Sequence, residues 1–314
     1  MCMKSLVTGG AGFIGSHIVD KLLELGHSVV VLDDFSLGKR ENLVHHEQDK
    51  SLKVYKRSIC EDLSGVFKKE KFDIVFHLAA LPRVQFSIDK PLESHEANIN
   101  GTLNILEFSR QFGVKRFVFS SSSSIYGDQR EMILTEDLKP NPMSPYALHK
   151  LTGEYYAHLY HKLYGLETVS LRYFNVFGPR QDPDNPYSNL IPKFIKFAIN
   201  GLRPKVNGDG EQKRDFTFVA DVVNANILAA TTKNRKCLGE MFNVGSGKNI
   251  SVNDITKKIF DLASSKAKSI YGPALVEPRT TLAGLEKSKS VLGYVPQYSL
   301  DDGLKIMYNN LINN

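Results

Sequence analysis

Hydrophobic and polar positions in the first half of the chain follow two alternating periods. Short apolar runs predict strands at 4–8, 28–34, 52–59, 73–80, 116–123 and 167–175. Between them, apolar residues recur at helical spacing, and the longest such segments predict helices over 93–112 and 146–165. Strands that alternate with helices predict βαβ units, and therefore a parallel, doubly wound sheet with helices on both faces.

The pattern loosens after Asn175. The segment 178–189 is rich in turn formers and polar residues, and its length favours a functional excursion over an ordinary loop. Helical patterns follow near 190–200 and 251–264. We therefore predict that the sheet domain carries a smaller C-terminal α/β lobe that binds substrate. The expected division is 1–175 with returns near 213–247 for the sheet domain, and 176–212 and 248–314 for the lobe.

The composition is that of a soluble globular protein, because 42% of the 314 residues are hydrophobic and 24% are charged. No apolar run approaches the ~18 residues that a membrane helix needs. The chain passes from "MCMK" straight into the first strand, which leaves no room for a secretory signal and predicts a cytoplasmic location. The net charge of +6 comes from scattered lysines and arginines, so neither a nucleic acid nor a membrane is an expected partner.

Cysteine usage adds little chemistry. Cys2, Cys60 and Cys237 lie far apart and form no CxxC, which excludes a disulfide framework and a familiar zinc spacing. We expect no metal site.

A glycine-rich turn, "TGGAGFIG" at 8–15, connects the first strand to the first helix. Gly9 permits a tight turn, Gly12 lets the backbone approach a pyrophosphate, and Gly15 allows close packing of helix on strand. A plain turn would explain the glycines alone. Asp33 at the end of the second strand favours a Rossmann-type dinucleotide site, because a carboxylate there accepts hydrogen bonds from a ribose 2′-OH. It would repel a 2′-phosphate, so NAD is favoured over NADP.

The stretch "SPYALHK" places Tyr146 four residues before Lys150, on one face of a helix. The pair is either a solvated helix face or a base with a cation that tunes it. A free phenol titrates near ~10, and a nearby ammonium would lower that pKa by favouring the phenolate. His77, at a buried strand end, is expected to be a packed, hydrogen-bonded histidine without a chemical role.

Several motifs together carry a resemblance to a known family. They are TGxxGxxG, "HLAA" at 77–80, "NINGT" at 98–102, "SSSSIYG" at 121–127, the YxxxK pair, and "RYFNVFGP" at 172–179. With them the chain resembles the extended short-chain dehydrogenases/reductases. It is most similar to the NAD-dependent UDP-glucose/UDP-N-acetylglucosamine 4-epimerases, from Ser5 to about Pro296.

The resemblance implies a role for particular residues. The catalytic residues would be Tyr146 and Lys150, with Ser122 as their partner because the family's serine or threonine stands four positions before Tyr126. Ser121, Ser123 and Ser124 compete for that role. Contacts to NAD are implied for Gly9, Gly12, Phe13, Ile14, Gly15, Asp33, Asp62 beside the adenine, Leu78, Ala79, Ala80, Asn98, Ser120, Tyr146 and Lys150. Contacts to the sugar nucleotide are implied for Ser122, Tyr146, Asn175, Leu190, Arg214 and Thr281.

The resemblance also narrows the reaction. Related 4,6-dehydratases carry an Asp–Glu pair where this chain has Ser123 and Ser124, and elimination without these groups loses its proton transfers. The expected reaction is 4-epimerisation of a UDP-hexose through a 4-keto intermediate, with Tyr146 as base and NAD as hydride acceptor and donor. Thr281, placed at the family's gate position, is small and predicts that N-acetylated sugars enter as well as UDP-glucose and UDP-galactose.

Two departures from the family affect the nucleotide grip. The usual "RPGD", whose arginine binds the diphosphate, is replaced by "VEPRTT", in which Arg279 is the only cation. The usual aspartate of "LAD" is Gly284.

Two alternative functions stay open. A UDP-glucuronate 4-epimerase needs a site for the sugar carboxylate, and Arg83 is the candidate. A non-catalytic NAD-binding scaffold would share the fold, although degenerate members usually lose the tyrosine or the lysine and this chain has both. The family pattern also predicts a homodimer through helices 93–112 and 146–165.

Overall fold

The computed structural model describes residues 3–184, 189–274 and 277–313. Its strands are β1 Lys4–Thr8, β2 Ser28–Asp33, β3 Leu52–Lys56, β4 Ile74–His77, β5 Arg116–Ser122, β6 Glu167–Tyr173, β7 Val176–Phe177, β8 Lys205–Asn207, β9 Lys213–Asp215, β10 Thr217–Phe218, β11 Glu240–Val244, β12 Asn249–Ser251 and β13 Ile270–Gly272. Its helices are α1 Phe13–Glu24, α2 Ser64–Glu70, α3 Val84–Asp89, α4 Pro91–His95, α5 Gly101–Gln111, α6 Pro145–Tyr164, α7 Leu190–Ile199, α8 Val219–Thr231, α9 Val252–Leu262 and α10 Leu300–Asn313.

Seven parallel strands form the central sheet in the order β11-β6-β5-β4-β1-β2-β3. The prediction of a doubly wound α/β fold is confirmed. Two strands are shorter than the apolar runs at 52–59 and 73–80 suggested, ending at Lys56 and His77. The residues beyond them leave the sheet at its carboxyl edge, and several of them line the cavity described below.

Alternation along the strands explains the two hydrophobic cores. Val29 and Val31 of β2 belong to one cluster of buried residues, and Val30 and Leu32 belong to the other. Helices α1 and α8 cover the first face, while α2, α5 and α6 cover the second. Strands buried on both faces read as continuous apolar runs, which is why the periodicity located them.

The helix predicted over 93–112 is interrupted. Helices α4 and α5 are joined by a π-helical turn over Glu96–Asn100, which wraps the backbone less tightly without ending the helical path. Asn98 lies in this turn and hydrogen-bonds both the N–H and the carbonyl of Leu81, at 2.7 and 3.1 Å. The π-helical turn therefore stabilises the loop that follows β4 through these two hydrogen bonds.

The C-terminal part adds small sheets and helices beside the carboxyl edge of the central sheet. Strand β12 pairs with β9, β13 with β8, and β10 with β7. The β9–β12 pair joins the segment near 213 to the lobe, so the division of the chain proposed from the sequence stays a prediction. Helix α10, which was not predicted from the sequence, packs on α7, α9 and β10.

None of the helices in the described ranges is long and apolar enough to cross a membrane. The cytoplasmic location stays a prediction.

Candidate active site

A cavity of about 880 Å³ opens at the carboxyl ends of the central strands. Its walls come from the turns after β1, β2, β4 and β5, from the start of α6, and from the C-terminal lobe. Ligands of open α/β sheets bind at this edge, because the loops that cross it diverge and leave a crevice.

The glycine turn forms one wall by close backbone approach. Gly9 has φ +69, and a Cβ there would stand 2.8 Å from the Ala79 nitrogen. A Cβ on Gly15 would stand 2.1 Å from the Gly9 carbonyl oxygen, so side chains at either position would displace backbone. No side chain caps α1 at Gly12 and its first turn contains no acid, which leaves the positive helix end available to a pyrophosphate.

Asp33 lies beside this turn, as expected for a ribose ligand. Its two carboxylate oxygens accept hydrogen bonds from the N–H groups of Ala11 and Phe35, both at 2.9 Å. Burial raises the pKa of this carboxyl, and the two N–H groups act in the opposite direction. Each oxygen keeps a further lone pair for a hydroxyl donor. Gly38, which was not predicted from the sequence, lines the cavity beside Asp33. A Cβ at this position would lie 2.7 Å from an Asp33 carboxylate oxygen, so a side chain would crowd the carboxylate.

The opposite wall carries Tyr146, placed by the start of α6. Ser144 caps the helix by accepting the Ala147 N–H at 3.2 Å, and Pro145 occupies its first turn. Tyr146 is therefore held at the N-terminal end of the helix, 9% exposed, and Ser122 at the end of β5 acts as a hydrogen-bond partner that lowers the pKa of its phenol. The structure thus brings together the tyrosine and the serine that the resemblance paired.

The neighbouring serines have different surroundings. The Ser121 hydroxyl turns away and donates to Glu154 at 2.5 Å. The Ser122 oxygen accepts from the N–H and the hydroxyl of Ser124, at 3.2 and 2.9 Å. Ser123 and Ser124 line the cavity without reaching Glu154. Of the four candidates, Ser122 is the one that acts on the pKa of the Tyr146 phenol.

The family comparison agrees with this geometry. Residues 5–245 match the model of the NAD dependent epimerase/dehydratase family. The chain belongs to this family. Its cofactor is NAD, and the predictions of family, enzyme class and cofactor made from the sequence are confirmed.

Relatives within the epimerase/dehydratase family align over nearly the whole chain. A putative UDP-glucose 4-epimerase of Methanocaldococcus jannaschii is 38% identical, with 98% of each chain covered. The UDP-N-acetylglucosamine 4-epimerase of Methanobrevibacter ruminantium, solved with UDP-N-acetylmuramic acid, superposes with a TM-score of 0.94 at 37% identity and 99% coverage of both chains. The UDP-glucuronic acid 4-epimerase of Bacillus cereus, solved with UDP-glucuronic acid and NAD, gives 0.92 at 35% identity, again covering 99% of both.

Opposing effects act on the pKa of Tyr146. Burial raises the pKa of the phenol, although the hydrogen bond with Ser122 and the charge of Arg83 act to lower it. The Lys150 ammonium donates to the Ser120 carbonyl at 2.6 Å and lies over the Tyr146 ring, 6.0 Å from its centre. The expectation that Lys150 lowers the pKa of the phenol stays a prediction. Burial lowers the pKa of Lys150 to about 8, against the opposing charge of Glu154.

Most of the NAD contacts inferred from the resemblance line the cavity. They are Gly9, Gly12, Phe13, Ile14, Gly15, Asp33, Leu78, Ala79, Ala80, Ser120, Tyr146 and Lys150. Asn98 does not line it, because it is buried behind Leu81 and holds that loop in place. His77 is packed, with Nδ1 2.8 Å from the Thr8 hydroxyl and Nε2 3.0 Å from that of Thr102, as the sequence predicted.

Asp62 is also absent from the lining. Its carboxylate is exposed and accepts the Ser64 N–H at 2.9 Å, at the start of α2. Ser58 and Ile59, a few residues earlier, stand at the cavity wall in its place. A contact between Asp62 and the adenine stays a prediction.

At the lobe side, three of the four remaining residues predicted to bind substrate reach the cavity. Asn175, Arg214 and Thr281 line it, whereas Leu190 begins α7 and its neighbour Asn189 reaches the wall. Asn175 has φ +24, an uncommon conformation for a non-glycine residue, and donates to the Asp215 carbonyl at 3.0 Å. The Thr281 hydroxyl is buried and has no hydrogen-bond partner among the described residues.

Two arginines of the cavity, Arg83 and Arg180, have surroundings that the sequence did not predict. Arg83 lines the cavity, and its buried Nε has no partner within the described part of the chain. Arg180 pairs with Asp20 of α1 at 2.7 Å, which ties the excursion after β7 to the NAD side. The prediction of a functional excursion covers 178–189, of which 185–188 lie outside the described residues.

Proposed function

We propose that the protein interconverts UDP-hexoses that differ in configuration at C4. The observation that carries the proposal is the buried phenol of Tyr146, which lines one cavity together with Ser122, the group that acts to lower its pKa, and with the glycine turn. When bound, NAD supplies reversible hydride transfer at the sugar carbon.

The residues of the chain move and hold one proton. Tyr146 takes the proton of the C4 hydroxyl as the sugar is oxidised and gives it back to the inverted product. The Ser122 oxygen already accepts from the N–H and the hydroxyl of Ser124, so Ser122 donates its own proton to the phenol oxygen, which can accept in either protonation state. Lys150, held by the Ser120 carbonyl, contributes by binding the cofactor ribose and by keeping a positive charge in this part of the cavity.

Epimerisation is favoured over elimination by what stands next to Ser122. The related dehydratases have an acid pair at the positions of Ser123 and Ser124. In this chain both residues line the cavity and offer hydroxyl groups. A hydroxyl group does not supply the general acid and base that removal of water across C5–C6 requires. The reaction is therefore complete once the proton and the hydride have been returned.

We further propose that Thr281 admits N-acetylated sugars. The side chain is small, lines the cavity on the lobe side, and its hydroxyl has no partner in the described structure. Thr281→Tyr should lower kcat/KM for UDP-GlcNAc and UDP-GalNAc by about tenfold to a hundredfold while sparing UDP-glucose, because added bulk excludes only the larger substituent. Thr281→Val keeps the size and should leave both classes unchanged. Equal loss on both classes in the tyrosine variant would contradict the gate.

A second candidate is a UDP-glucuronate 4-epimerase, favoured by Arg83. Burial lowers the pKa of its guanidinium, while the Tyr146 phenol and Asp182 act to raise it. A sugar carboxylate would supply an anion for the buried Nε. Turnover of UDP-glucuronate without turnover of the neutral sugars would select this candidate, and absence of any turnover would select a non-catalytic scaffold.

We also propose a homodimer formed through the helices at 91–111 and 145–164. Leu148, Tyr155, Leu159 and Leu163 of α6 are 52%, 54%, 43% and 64% exposed, and their spacing places them along one side of the helix. Leu92 at the start of α4 is 84% exposed. Contiguous exposed apolar side chains of this kind mark association surfaces.

Leu159→Glu should convert the dimer to a monomer in size-exclusion chromatography with light scattering, since a charge buried in an apolar contact is costly. The control is Leu202→Glu, an exposed leucine outside these helices, which should leave the mass unchanged. A dimeric Leu159→Glu protein would rule out this face as the contact.

A further inference from the structure

The lobe side of the cavity contains a carboxylate where a substrate diphosphate is expected. Arg214 and Glu277 both line the cavity, and Nη2 of the arginine lies 2.9 Å from a carboxylate oxygen of the glutamate. The arginine side chain is 12% exposed and the glutamate side chain is 38% exposed. Nη1 of Arg214 donates to the Lys213 carbonyl at 2.9 Å, so Glu277 is the anion that this guanidinium already holds.

The neighbouring cation is directed elsewhere. Arg279 forms a two-pronged ion pair with Asp209, at 2.8 Å for each nitrogen, and both side chains are more than half exposed. Neither residue lines the cavity. Of the two arginines considered for the phosphates, only Arg214 lines the cavity, and its guanidinium is already paired with Glu277.

We propose that Glu277 determines the affinity of the nucleoside-diphosphate subsite by competing with the ligand for Arg214. The proposal rests on the proposed function, because it takes Arg214 as the residue that holds the phosphates of a UDP-sugar. Charge-assisted hydrogen bonds to a guanidinium are strong and directional. A diphosphate that binds Arg214 must therefore displace a carboxylate already in place, and it is repelled by the same carboxylate when that group stays nearby.

The location of the competition decides which kinetic constant it changes. Glu277 acts on the phosphate end, which is common to all UDP-sugars and does not react. Its effect should therefore appear as a higher KM with an unchanged kcat, equally for each sugar. This separates Glu277 from Thr281, which is proposed to discriminate between sugars.

Binding of UDP, measured calorimetrically on the protein saturated with NAD, tests the proposal. Glu277→Gln keeps the size and hydrogen-bonding capacity but removes the charge, and it should tighten UDP about tenfold. Uridine, which has no phosphate, should bind both proteins equally. The matched control is Asp209→Asn, which removes one negative charge from the nearby arginine pair outside the cavity and should leave UDP affinity unchanged.

A double-mutant cycle isolates the pair. In an Arg214→Gln background, Glu277→Gln should increase UDP affinity only slightly. The remaining increase would come from removing the repulsion between the Glu277 carboxylate and the diphosphate. Equal or weaker binding of UDP by Glu277→Gln, the same gain in Asp209→Asn, or no measurable UDP binding by any variant would each overturn the proposal.

The outcome is separable from that of the proposed function. Tighter UDP binding by Glu277→Gln with no epimerisation of any UDP-sugar would reject the catalytic proposal and keep the competition for Arg214. Epimerisation together with an unchanged UDP affinity of Glu277→Gln would keep the catalytic proposal and reject the competition for Arg214.

Discussion

Tyr146→Phe should lower kcat by about 10²–10⁴-fold while NAD and the UDP-sugar remain bound, because the substitution removes only the group that carries the proton. The ring stays in its buried place, and the backbone N–H of residue 146 keeps its 3.0 Å hydrogen bond to the Ser87 hydroxyl. The fold and the cavity shape should therefore be preserved. Steady-state kinetics and calorimetric binding of UDP separate the two effects.

A second tyrosine on the same helix provides the control. Tyr155 is 54% exposed and does not line the cavity, so Tyr155→Phe should turn over at the rate of the unmodified protein. Near wild-type turnover by Tyr146→Phe would show that the phenol of Tyr146 does not carry the proton, and the pair with Lys150 would then be structural.

Arg172→Met should reduce the free energy of unfolding by about 3–5 kcal/mol, measured by urea denaturation, because it leaves a buried carboxylate without its cation. Arg172 of β6 and Glu154 of α6 are 3% and 0% exposed in their side chains and meet through two hydrogen bonds of 2.9 and 2.8 Å. The guanidinium also donates to the Tyr126 hydroxyl at 3.0 Å. The pair links α6 to β6, and the same Glu154 carboxylate accepts the Ser121 hydroxyl of β5.

Two comparisons make the measurement specific to the buried pair. Replacing both Arg172 and Glu154 by methionine should restore most of the stability, since no uncompensated charge remains. Lys258→Met breaks an exposed 2.9 Å pair with Asp301 and should cost at most about 1 kcal/mol. A loss in Arg172→Met no larger than in Lys258→Met would contradict the assigned role of the buried pair.

The sequence was sufficient for features that depend on local pattern. Strands β1, β2, β4, β5 and β6 could be located because both of their faces are buried, so their apolar runs are continuous, whereas the edge strand β3 is largely exposed. The glycine turn could be interpreted because the conformation of Gly9 and the packing of Gly15 are local requirements of a strand followed closely by a helix. Strand ends were less accurate, because the chain leaves the sheet there to form the cavity.

Features that depend on distant contacts could not be obtained in this way. Helical spacing placed Lys150 beside Tyr146, but it could not show that the ammonium also donates to a carbonyl of β5 or that Arg83, from a different loop, acts to lower the pKa of the phenol. The same limit applies at the lobe, where the resemblance implied a substrate contact for Arg214 and left Arg279 as the only cation of "VEPRTT". The fold points Arg279 at Asp209 and brings Glu277 to the cavity.

The central claim is inversion at C4, and product analysis tests it most directly. The purified protein is incubated with UDP-glucose, UDP-GlcNAc or UDP-glucuronate, and the sugar nucleotides are resolved by chromatography. The account predicts UDP-galactose and UDP-GalNAc from the first two, with no loss of water or carbon dioxide from any substrate. A 4-keto-6-deoxy product, or recovery of all three substrates unchanged, would contradict it.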